Sequence, residues 1–379
     1  MLILGGGFGG LSAAATLRAE AEDRTDILVV DRSPSFMMGL RKLWFLDGRS
    51  RPGEGTRPRS GLERAGIDFR QGKVEAIEAD RRHVRIDGET VGYDFLVLAL
   101  GAQPRPELVP GGLGGNPNLY DVEGAAEAGR RLADLDRGRV MILIAGIPIK
   151  CPPAPFEAAF LIDDLLRRAG RRDRVEIEVV TPQPMSIPAA GPAACALVEG
   201  RFGSKGIGFR PNAQVESVEP GRVVLKGGDA LGADVLLVVP PHRPPEVVTE
   251  SGIGAEGGWV AADPATLAAG PEGVFAVGDI VAMQTGAGLP FPKAGIFAER
   301  HGEVVARNLA ATIAGREGEA RFDGAGYCFL EVGGGEATMV VGNFLASPPD
   351  VTIVDSSPEH LEAKSAFERE RLERWLPQG

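Results

Sequence analysis

The sequence is poor in three features, each of which would place the protein in a particular class. It has only three cysteines among 379 residues, too few for a scaffold stapled by disulfides. It lacks an apolar run of the roughly 18–20 residues that a membrane-spanning helix needs. It also lacks positive charge, since the formal net charge is −11, whereas binding to nucleic-acid phosphates needs a basic surface. We therefore expect no nucleic-acid partner and no transmembrane segment.

The length and the composition indicate a multidomain globular protein. A chain of this size exceeds what one hydrophobic core usually supports, and its content of 44% apolar and 25% charged residues is ordinary for a soluble protein. Met1 leads almost directly into an apolar strand at residues 2–4, which leaves no room for a secretory signal. The sequence thus predicts a cytoplasmic protein, with peripheral attachment to a membrane left open. A periplasmic location would require a missing leader.

A glycine motif follows this first strand. Gly5, Gly7 and Gly10 form the pattern G-x-G-x-x-G in front of an alanine-rich stretch. In a strand–turn–helix unit these glycines allow the tight turn, the approach of a pyrophosphate and the close packing of helix on strand. A second apolar strand ends at Asp31, about 20 residues further on, where the fold places an acid on the ribose hydroxyls. Because strand, motif, helix and acid occur in order, we predict a dinucleotide site.

Two later segments decide which dinucleotide is bound. Residues 93–102 form an apolar strand that runs into a glycine turn, and residues 273–279 form a strand that closes on Gly-Asp. Both resemble motifs of the flavoprotein superfamily with two dinucleotide domains, which includes glutathione reductase. The resemblance implies that FAD is the cofactor, that Asp279 hydrogen-bonds its ribityl chain, and that the FAD domain resumes after an insertion.

The insertion has a matching strand at residues 139–146, but it lacks a second glycine motif. No glycine occurs between Gly146 and Gly170, and several prolines remove amide donors where a pyrophosphate would need them. We therefore predict that NAD does not bind there. Instead the segment contains Cys151, followed by an amphipathic helix with Glu157 near its start. The adjacent Lys150 and the helix N-terminus are both expected to favour the thiolate form of this cysteine.

The remaining cysteines lie far along the chain. Cys328 is in a strand-like stretch, 177 residues after Cys151. The residues alone leave open whether these two cysteines form a redox pair or are two unrelated buried side chains. Cys195 lies in a predicted helix and is expected to be buried and structural. His242 is expected in a loop at the rim of the site, with a part in proton transfer as the alternative.

The stretch at residues 149–157, together with Cys328, resembles the flavoprotein subunit of flavocytochrome c sulfide dehydrogenase and the related sulfide:quinone oxidoreductases. Residues 39–44 and 292–295 also look like segments of this family. The resemblance implies that Cys151 and Cys328 form a redox-active disulfide beside the flavin and that Glu157 handles protons. It further implies that Lys293 stabilises the reduced, anionic flavin.

The resemblance also implies the architecture and the cofactor site. The expected fold is α/β, with two Rossmann-like dinucleotide-binding domains as in glutathione reductase and a small C-terminal α+β region. The FAD-binding domain would comprise residues 1–105 and 251–315, the second Rossmann-like domain residues 106–250, and the C-terminal region residues 316–379. The implied cofactor-binding residues are Gly5, Gly7, Phe8, Gly9, Gly10, Asp31, Arg32, Lys42, Val74, Ala99, Gly101, Gly278, Asp279 and Lys293. No metal site is predicted.

Sulfide, or a related small sulfur compound, is the implied substrate, and a quinone or a c-type cytochrome on another chain is the implied electron acceptor. Residues 358–376 predict a charged helix that packs on the body or on a partner subunit, which allows a homodimer. Its charge favours a soluble acceptor over a membrane surface. Two alternatives stay open: a type II NADH:quinone oxidoreductase, and a flavin electron carrier whose disulfide is only structural.

Overall fold

Two parallel β-sheets form the body of the protein. The computed structural model describes residues 1–21, 24–254 and 256–378. The first parallel sheet consists of β1 (Leu2–Leu4), β2 (Leu28–Asp31), β5 (Asp68–Gln71), β9 (Leu96–Leu98) and β20 (Val274–Ala276). The second consists of β11 (Gly138–Ile144), β12 (Val175–Val180), β13 (Ile207–Arg210) and β17 (Val235–Val239). Their strand orders are β20-β9-β1-β2-β5 and β13-β12-β11-β17.

Smaller antiparallel sheets flank these two. The three-stranded ones are β6 (Val74–Glu78), β7 (His83–Ile86) and β8 (Glu89–Gly92); β14 (Val215–Glu219), β15 (Arg222–Leu225) and β16 (Ala230–Gly232); and β22 (Ala325–Gly333), β23 (Glu336–Asn343) and β24 (Asp350–Ser357). The two-stranded ones pair β3 (Ser35–Phe36) with β4 (Arg57–Pro58), β10 (Gln103–Pro104) with β18 (His242–Arg243), and β19 (Val260–Ala261) with β21 (Val281–Ala282).

Helices cover the parallel sheets and link them. They are α1 (Phe8–Ala21), α2 (Arg41–Leu46), α3 (Val122–Asp134), α4 (Ala154–Arg168), α5 (Pro192–Lys205), α6 (Glu246–Glu250), α7 (Gly295–Ile313) and α8 (Pro358–Trp375). Among the helices of the described ranges, none combines the length and the apolar character needed to cross a bilayer.

The first sheet draws on two distant stretches of the chain. Strands β1, β2, β9 and β20 are short and apolar except for Asp31, as expected for a parallel sheet covered on both faces, whereas the edge strand β5 is mostly polar. Strand β20 pairs in parallel with β9, with Phe275 opposite Val97, although it lies far from β9 in sequence. The predicted division of the chain into domains stays a prediction, and this pairing supports it. Because all strands run the same way, the turns that follow β1, β9 and β20 meet at one edge, which we call the carboxyl edge.

The C-terminal region joins the two parallel units. Strand β22 packs against α4, and α8 packs against β22, β23 and α1. Helix α8 begins at Pro358, with Ser357 as its N-cap, and its Trp375 is completely buried against the ring of Phe8 at 5.4 Å. Of the two predicted positions for this charged helix, packing on the body is therefore confirmed.

Candidate active site

The turn between β1 and α1 leaves room for a ligand. Gly5 has a φ of 105°, and a side chain there would overlap the carbonyl oxygen of Ala99, while one at Gly10 would overlap the carbonyl oxygen of Gly5. At Gly7, by contrast, no atom of the described chain outside Gly7 and its two neighbours lies within 4 Å of the position a Cβ would take. Packing therefore requires glycine at residues 5 and 10, whereas the surface at Gly7 is open beside the free amides of the first turn of α1.

Asp31 is held at the end of β2 by this turn. Its carboxylate accepts hydrogen bonds from the amides of Gly6 at 2.7 Å and Ser33 at 2.9 Å. The guanidinium of Arg59 lies 3.4 Å from the same carboxylate and donates to the carbonyl of Gly6 at 2.8 Å. Sequence reasoning missed Arg59, which lies outside the glycine motif and reaches it only in the folded chain.

The turns after β9 and β20 bring further predicted residues to the carboxyl edge. Ala99 follows β9 and donates to the carbonyl of Leu4 at 2.8 Å. Gly278 begins a short 3₁₀ turn, has a φ of 77° and donates its amide to Nδ1 of His301 at 3.2 Å. Burial lowers the pKa of His301 to about 3, so this ring stays neutral and accepts the bond. Burial also raises the pKa of Asp279, against the effect of nearby lysines.

Other predicted cofactor residues have different surroundings. Gly9 lies in the first turn of α1, Gly101 has a φ of 64°, and Lys42 is on α2, where burial lowers its pKa to about 8. Arg32 is exposed and Val74 begins β6, outside the parallel sheet. These assignments stay predictions.

Lys293 contacts the Gly-Asp turn and the ring of Trp259. Its ammonium donates to the carbonyls of Asp279 at 2.7 Å and Val281 at 3.2 Å, and it lies 3.7 Å from the ring centre of Trp259. Burial lowers its pKa to about 8. It thus ties its loop to the Gly-Asp turn, and its predicted role toward the flavin stays a prediction.

Cys151 lies in the loop before α4, and that loop contacts the loop of Lys293. Its amide donates to the carbonyl of Lys293 at 2.6 Å, and Lys150 forms a parallel bridge with Lys293. Cys151 is an exposed residue, but the protein packed around its thiol raises the pKa to about 11, and Glu157 adds to the increase while Lys364 opposes it. Lys150 and the helix N-terminus do favour the thiolate, as predicted, but desolvation and the neighbouring carboxylate outweigh them, so the net shift of the pKa is upward.

Cys328 lies on β22, which packs against α4. Burial raises the pKa of its thiol, and the next largest cause is Cys151, followed by Glu157. The structure therefore brings Cys151 and Cys328 within electrostatic reach, with free thiols at both. Cys195 lies apart on α5 and is 2% exposed, which confirms its prediction as a buried residue.

A buried ion cluster adjoins both thiols. The ammonium of Lys364, on α8, donates to Glu157 on α4 and to Glu331 on β22, the latter at 2.8 Å. Glu331 also accepts from the indole of Trp44 and from the guanidinium of Arg49, each at 2.6 Å. Two carboxylates therefore compete for one buried ammonium.

The members of this cluster differ in charge. Burial raises the pKa of Glu157 to about 7, although Lys364 opposes the rise. Burial acts in the same direction on Glu331, but Lys364 and Arg49 outweigh it and lower its pKa. Burial would lower the pKa of Lys364, but the two carboxylates raise it. Near neutral pH, Glu157 is thus the member that exchanges a proton.

Sequence reasoning missed Lys364, Glu331 and Trp44. Lys364 lies three residues from both Leu361 and Phe367, so it falls on the apolar face of α8. That spacing was the available signal, since a lysine on such a face needs a buried partner.

His242 differs from its prediction. It lies in β18 rather than in a rim loop, its side chain is completely buried, and neither ring nitrogen finds a hydrogen-bond partner among the described residues. Burial, assisted by Lys150 and Lys42, lowers its pKa to about 3. The prediction of a rim histidine is wrong because β18 pairs with β10 beneath the cysteine loop.

Comparisons with known proteins agree with this geometry. The profile of the pyridine nucleotide-disulphide oxidoreductase family matches residues 1–302. The chain is 28% identical to a sulfide-quinone reductase of Aquifex aeolicus over 273 residues, which is 66% of this chain and 60% of that protein. It is 26% identical to the mitochondrial sulfide:quinone oxidoreductase of Dictyostelium discoideum over 306 residues, 75% of this chain and 66% of that protein. The matches thus span less than two thirds of either relative.

A solved structure gives the same picture of the fold. The crystal structure of the Aquifex aeolicus sulfide:quinone oxidoreductase superposes with a TM-score of 0.86 at 24% identity, covering 100% of this chain and 95% of that chain. This match confirms the predicted α/β fold with two dinucleotide-binding domains. The family match confirms the predictions of an oxidoreductase and of FAD as the cofactor.

Proposed function

Since this chain belongs to the pyridine nucleotide-disulphide oxidoreductase family, we propose that it oxidises sulfide through a redox-active pair formed by Cys151 and Cys328. The observation that carries the proposal is the position of the two thiols. They lie within electrostatic reach of each other and of Glu157, and Cys151 is hydrogen-bonded to the loop that contacts the Gly-Asp turn. The names of the two curated relatives support sulfide as the substrate.

The residues at the carboxyl edge fit FAD. The open backbone at Gly7 and the first turn of α1 would hold its pyrophosphate, Asp31 its ribose, and Asp279 its ribityl chain. FAD, when bound, supplies the two-electron acceptor that the cysteines lack.

The cysteines perform the sulfur chemistry. Hydrosulfide attacks one sulfur of the disulfide, the bond between the two cysteines breaks, and a new sulfur–sulfur bond forms on the attacked cysteine. The attacked cysteine then carries a persulfide, and the other leaves as a thiolate that holds the electron pair. Lys364 supports this step because it lowers the pKa of both thiols.

Glu157 handles the proton. A pKa of about 7 lets this carboxyl accept the persulfide proton and release it again near neutral pH. Lys364 and Glu331 hold Glu157 in place from α8 and β22. The terminal helix is thus part of the chemistry as well as of the packing.

We propose a quinone as the electron acceptor, since both curated relatives are named for quinone reduction. A c-type cytochrome is the other acceptor that the sequence allows. Stopped-flow reoxidation of the sulfide-reduced protein by a soluble quinone and by a c-type cytochrome distinguishes the two, and faster reoxidation by the cytochrome would contradict the quinone assignment.

The donor is tested by anaerobic reduction of the purified flavoprotein. Sulfide is expected to bleach the visible flavin absorbance and NADH is not, since prolines replace the second glycine motif. Cys151→Ser and Cys328→Ser should each abolish bleaching by sulfide while FAD remains bound. Cys195→Ser is the matched control and should bleach as the wild type does. Bleaching by NADH alone, or full bleaching in both serine variants, would refute the proposal.

A further inference from the structure

Cys151 has an unusual backbone conformation. Its φ is 46°, in the left-handed region that residues with a Cβ seldom occupy. Such a conformation persists only where surrounding contacts hold it, and it is concentrated at functional sites.

Three hydrogen bonds hold Cys151 in this conformation. Its amide donates to the carbonyl of Lys293 at 2.6 Å, and its carbonyl accepts from the amide of Ala154 at 3.0 Å. The same carbonyl accepts from the hydroxyl of Tyr120 at 3.0 Å. Of the three donors and acceptors that face Cys151, only the tyrosine hydroxyl belongs to a side chain, so only that bond can be removed without altering the backbone.

Tyr120 is itself rigidly placed. It is 8% exposed, its amide donates to the side-chain oxygen of Asn118 at 2.9 Å, and its ring packs edge-on against His242 at 4.9 Å. The amide of His242 in turn donates to the carbonyl of Pro148 at 2.8 Å. Tyr120 and His242, packed together, therefore anchor the two ends of the loop at residues 148–151.

We propose that Tyr120 is a positioning residue that holds Cys151 in the left-handed conformation from which its sulfur pairs with Cys328. The inference rests on the proposed redox pair. Formation of the disulfide joins two sulfurs and releases two electrons and two protons to an oxidant, here oxidised dithiothreitol or the flavin. The structure shows this conformation with both thiols free. Without the tyrosine hydroxyl the loop of the dithiol form is free to relax from it, whereas the disulfide still requires it.

Loss of the hydroxyl should therefore weaken the disulfide relative to the dithiol. A net contribution typical of one hydrogen bond corresponds to about a fivefold change in the equilibrium constant, or roughly 20 mV for a two-electron couple. The pair in Tyr120→Phe is expected to be more easily reduced by this amount.

The test uses the FAD-loaded protein in anaerobic buffers of reduced and oxidised dithiothreitol. The Cys151–Cys328 disulfide is quantified by alkylation and mass spectrometry as the buffer ratio varies. Tyr93→Phe is the matched control, since it removes a buried hydroxyl that has no partner among the described residues. Tyr120→Phe should shift the midpoint about fivefold, and Tyr93→Phe should leave it unchanged.

The outcomes separate this inference from the proposed function. If the wild type forms no Cys151–Cys328 disulfide in any buffer, the proposed redox pair fails. If the wild type forms it and Tyr120→Phe has the same midpoint, the positioning role is refuted. Asn118→Ala guards against a folding defect, because it keeps the hydroxyl and removes only the acceptor that anchors Tyr120. It should shift the midpoint in the same direction by less. If Asn118→Ala keeps the wild-type midpoint and Tyr120→Phe has a lowered melting temperature, the role of the tyrosine is merely structural.

Discussion

The two parallel units of this protein use the same strand–turn–helix arrangement for different chemistry. In the first, β1 ends at Leu4 and α1 begins at Phe8, so a short glycine turn places open backbone at the carboxyl edge. In the second, β11 ends at Ile144 and α4 begins only at Ala154. The longer, proline-rich connection places Cys151 against the loop of Lys293, which contacts the Gly-Asp turn at the carboxyl edge.

The difference lies in what each turn depends on. The first turn requires residues without a side chain, because a Cβ at Gly5 or at Gly10 would overlap backbone atoms. The second depends on side chains from elsewhere, because Glu157, Lys364 and Glu331 come from three different elements. The glycine turn is therefore one short segment that Ala99 and Arg59 complete from other parts of the chain, whereas the thiol site needs side chains from α4, β22 and α8.

The largest expected effect tests whether the first turn tolerates a side chain. In Gly10→Ala the new methyl group would overlap the carbonyl oxygen of Gly5, which the backbone can relieve only by opening the turn. We expect this variant to lose its bound FAD, measured as flavin absorbance per mole of purified protein, and with it all sulfide-dependent reduction.

Gly146→Ala is the matched control in the second unit. The three atoms nearest to its Cβ would belong to the ring of Pro241, at 3.2 Å, so FAD should be retained in full. Stoichiometric FAD in Gly10→Ala, or equal loss in both variants, would remove the contrast between the two turns.

The next effect tests the buried charges of the second site. Lys364→Met leaves Glu157 and Glu331 without their shared ammonium, and removal of one partner of a buried ion pair typically costs about 3–5 kcal/mol. We expect the free energy of unfolding in urea to fall by about this amount. The exposed Lys226 provides the control, since Lys226→Met should change it by less than about 0.5 kcal/mol. Equal stability of the two variants would show that the cluster is not coupled to folding.

The smallest effect is the pH dependence contributed by Glu157. Its pKa is about 7 in the folded protein, against an ordinary value of 4.5, so the native state binds the proton more tightly than the unfolded chain. The stability from this group is complete below about pH 4.5 and is lost as the pH rises through 7, by at most about 3 kcal/mol. The contribution of Glu157 to the pH dependence of the free energy of unfolding should be absent in Glu157→Gln. Urea titrations of both proteins between pH 5 and pH 8 measure the difference.

Other buried groups set the remaining pH dependence. Burial raises the pKa values of Asp47, Asp279 and Glu299, which makes stability fall as the pH rises. Burial lowers the pKa values of His242 and His301 from 6.5 to about 3, which makes stability rise with pH up to about 6.5. These contributions should be equal in the wild type and in Glu157→Gln. Glu123→Gln, at an exposed position, should follow the wild type. The full wild-type decrease in the Glu157→Gln variant would contradict the raised pKa of Glu157.

Contiguous sequence determined the first site and most of the fold. The motif from Gly5 to Gly10, the acid at Asp31 and the Gly-Asp turn each lie next to a strand whose apolar residues identify it. The helices after Cys151 and at the C-terminus were also predictable, because apolar spacing and end signals such as Gly170, with its φ of 63°, are local properties of the chain.

Tertiary structure alone decided the chemistry of the second site. The proximity of Cys151 and Cys328 depends on the packing of β22 against α4, across 177 residues of sequence. The pKa of the Cys151 thiol was predicted in the wrong direction because its neighbours in sequence, Lys150 and the helix N-terminus, have less effect than Glu157 and the desolvation caused by the surrounding protein. Charge interactions in a protein interior are set by distance and desolvation, and neither can be read from the order of residues.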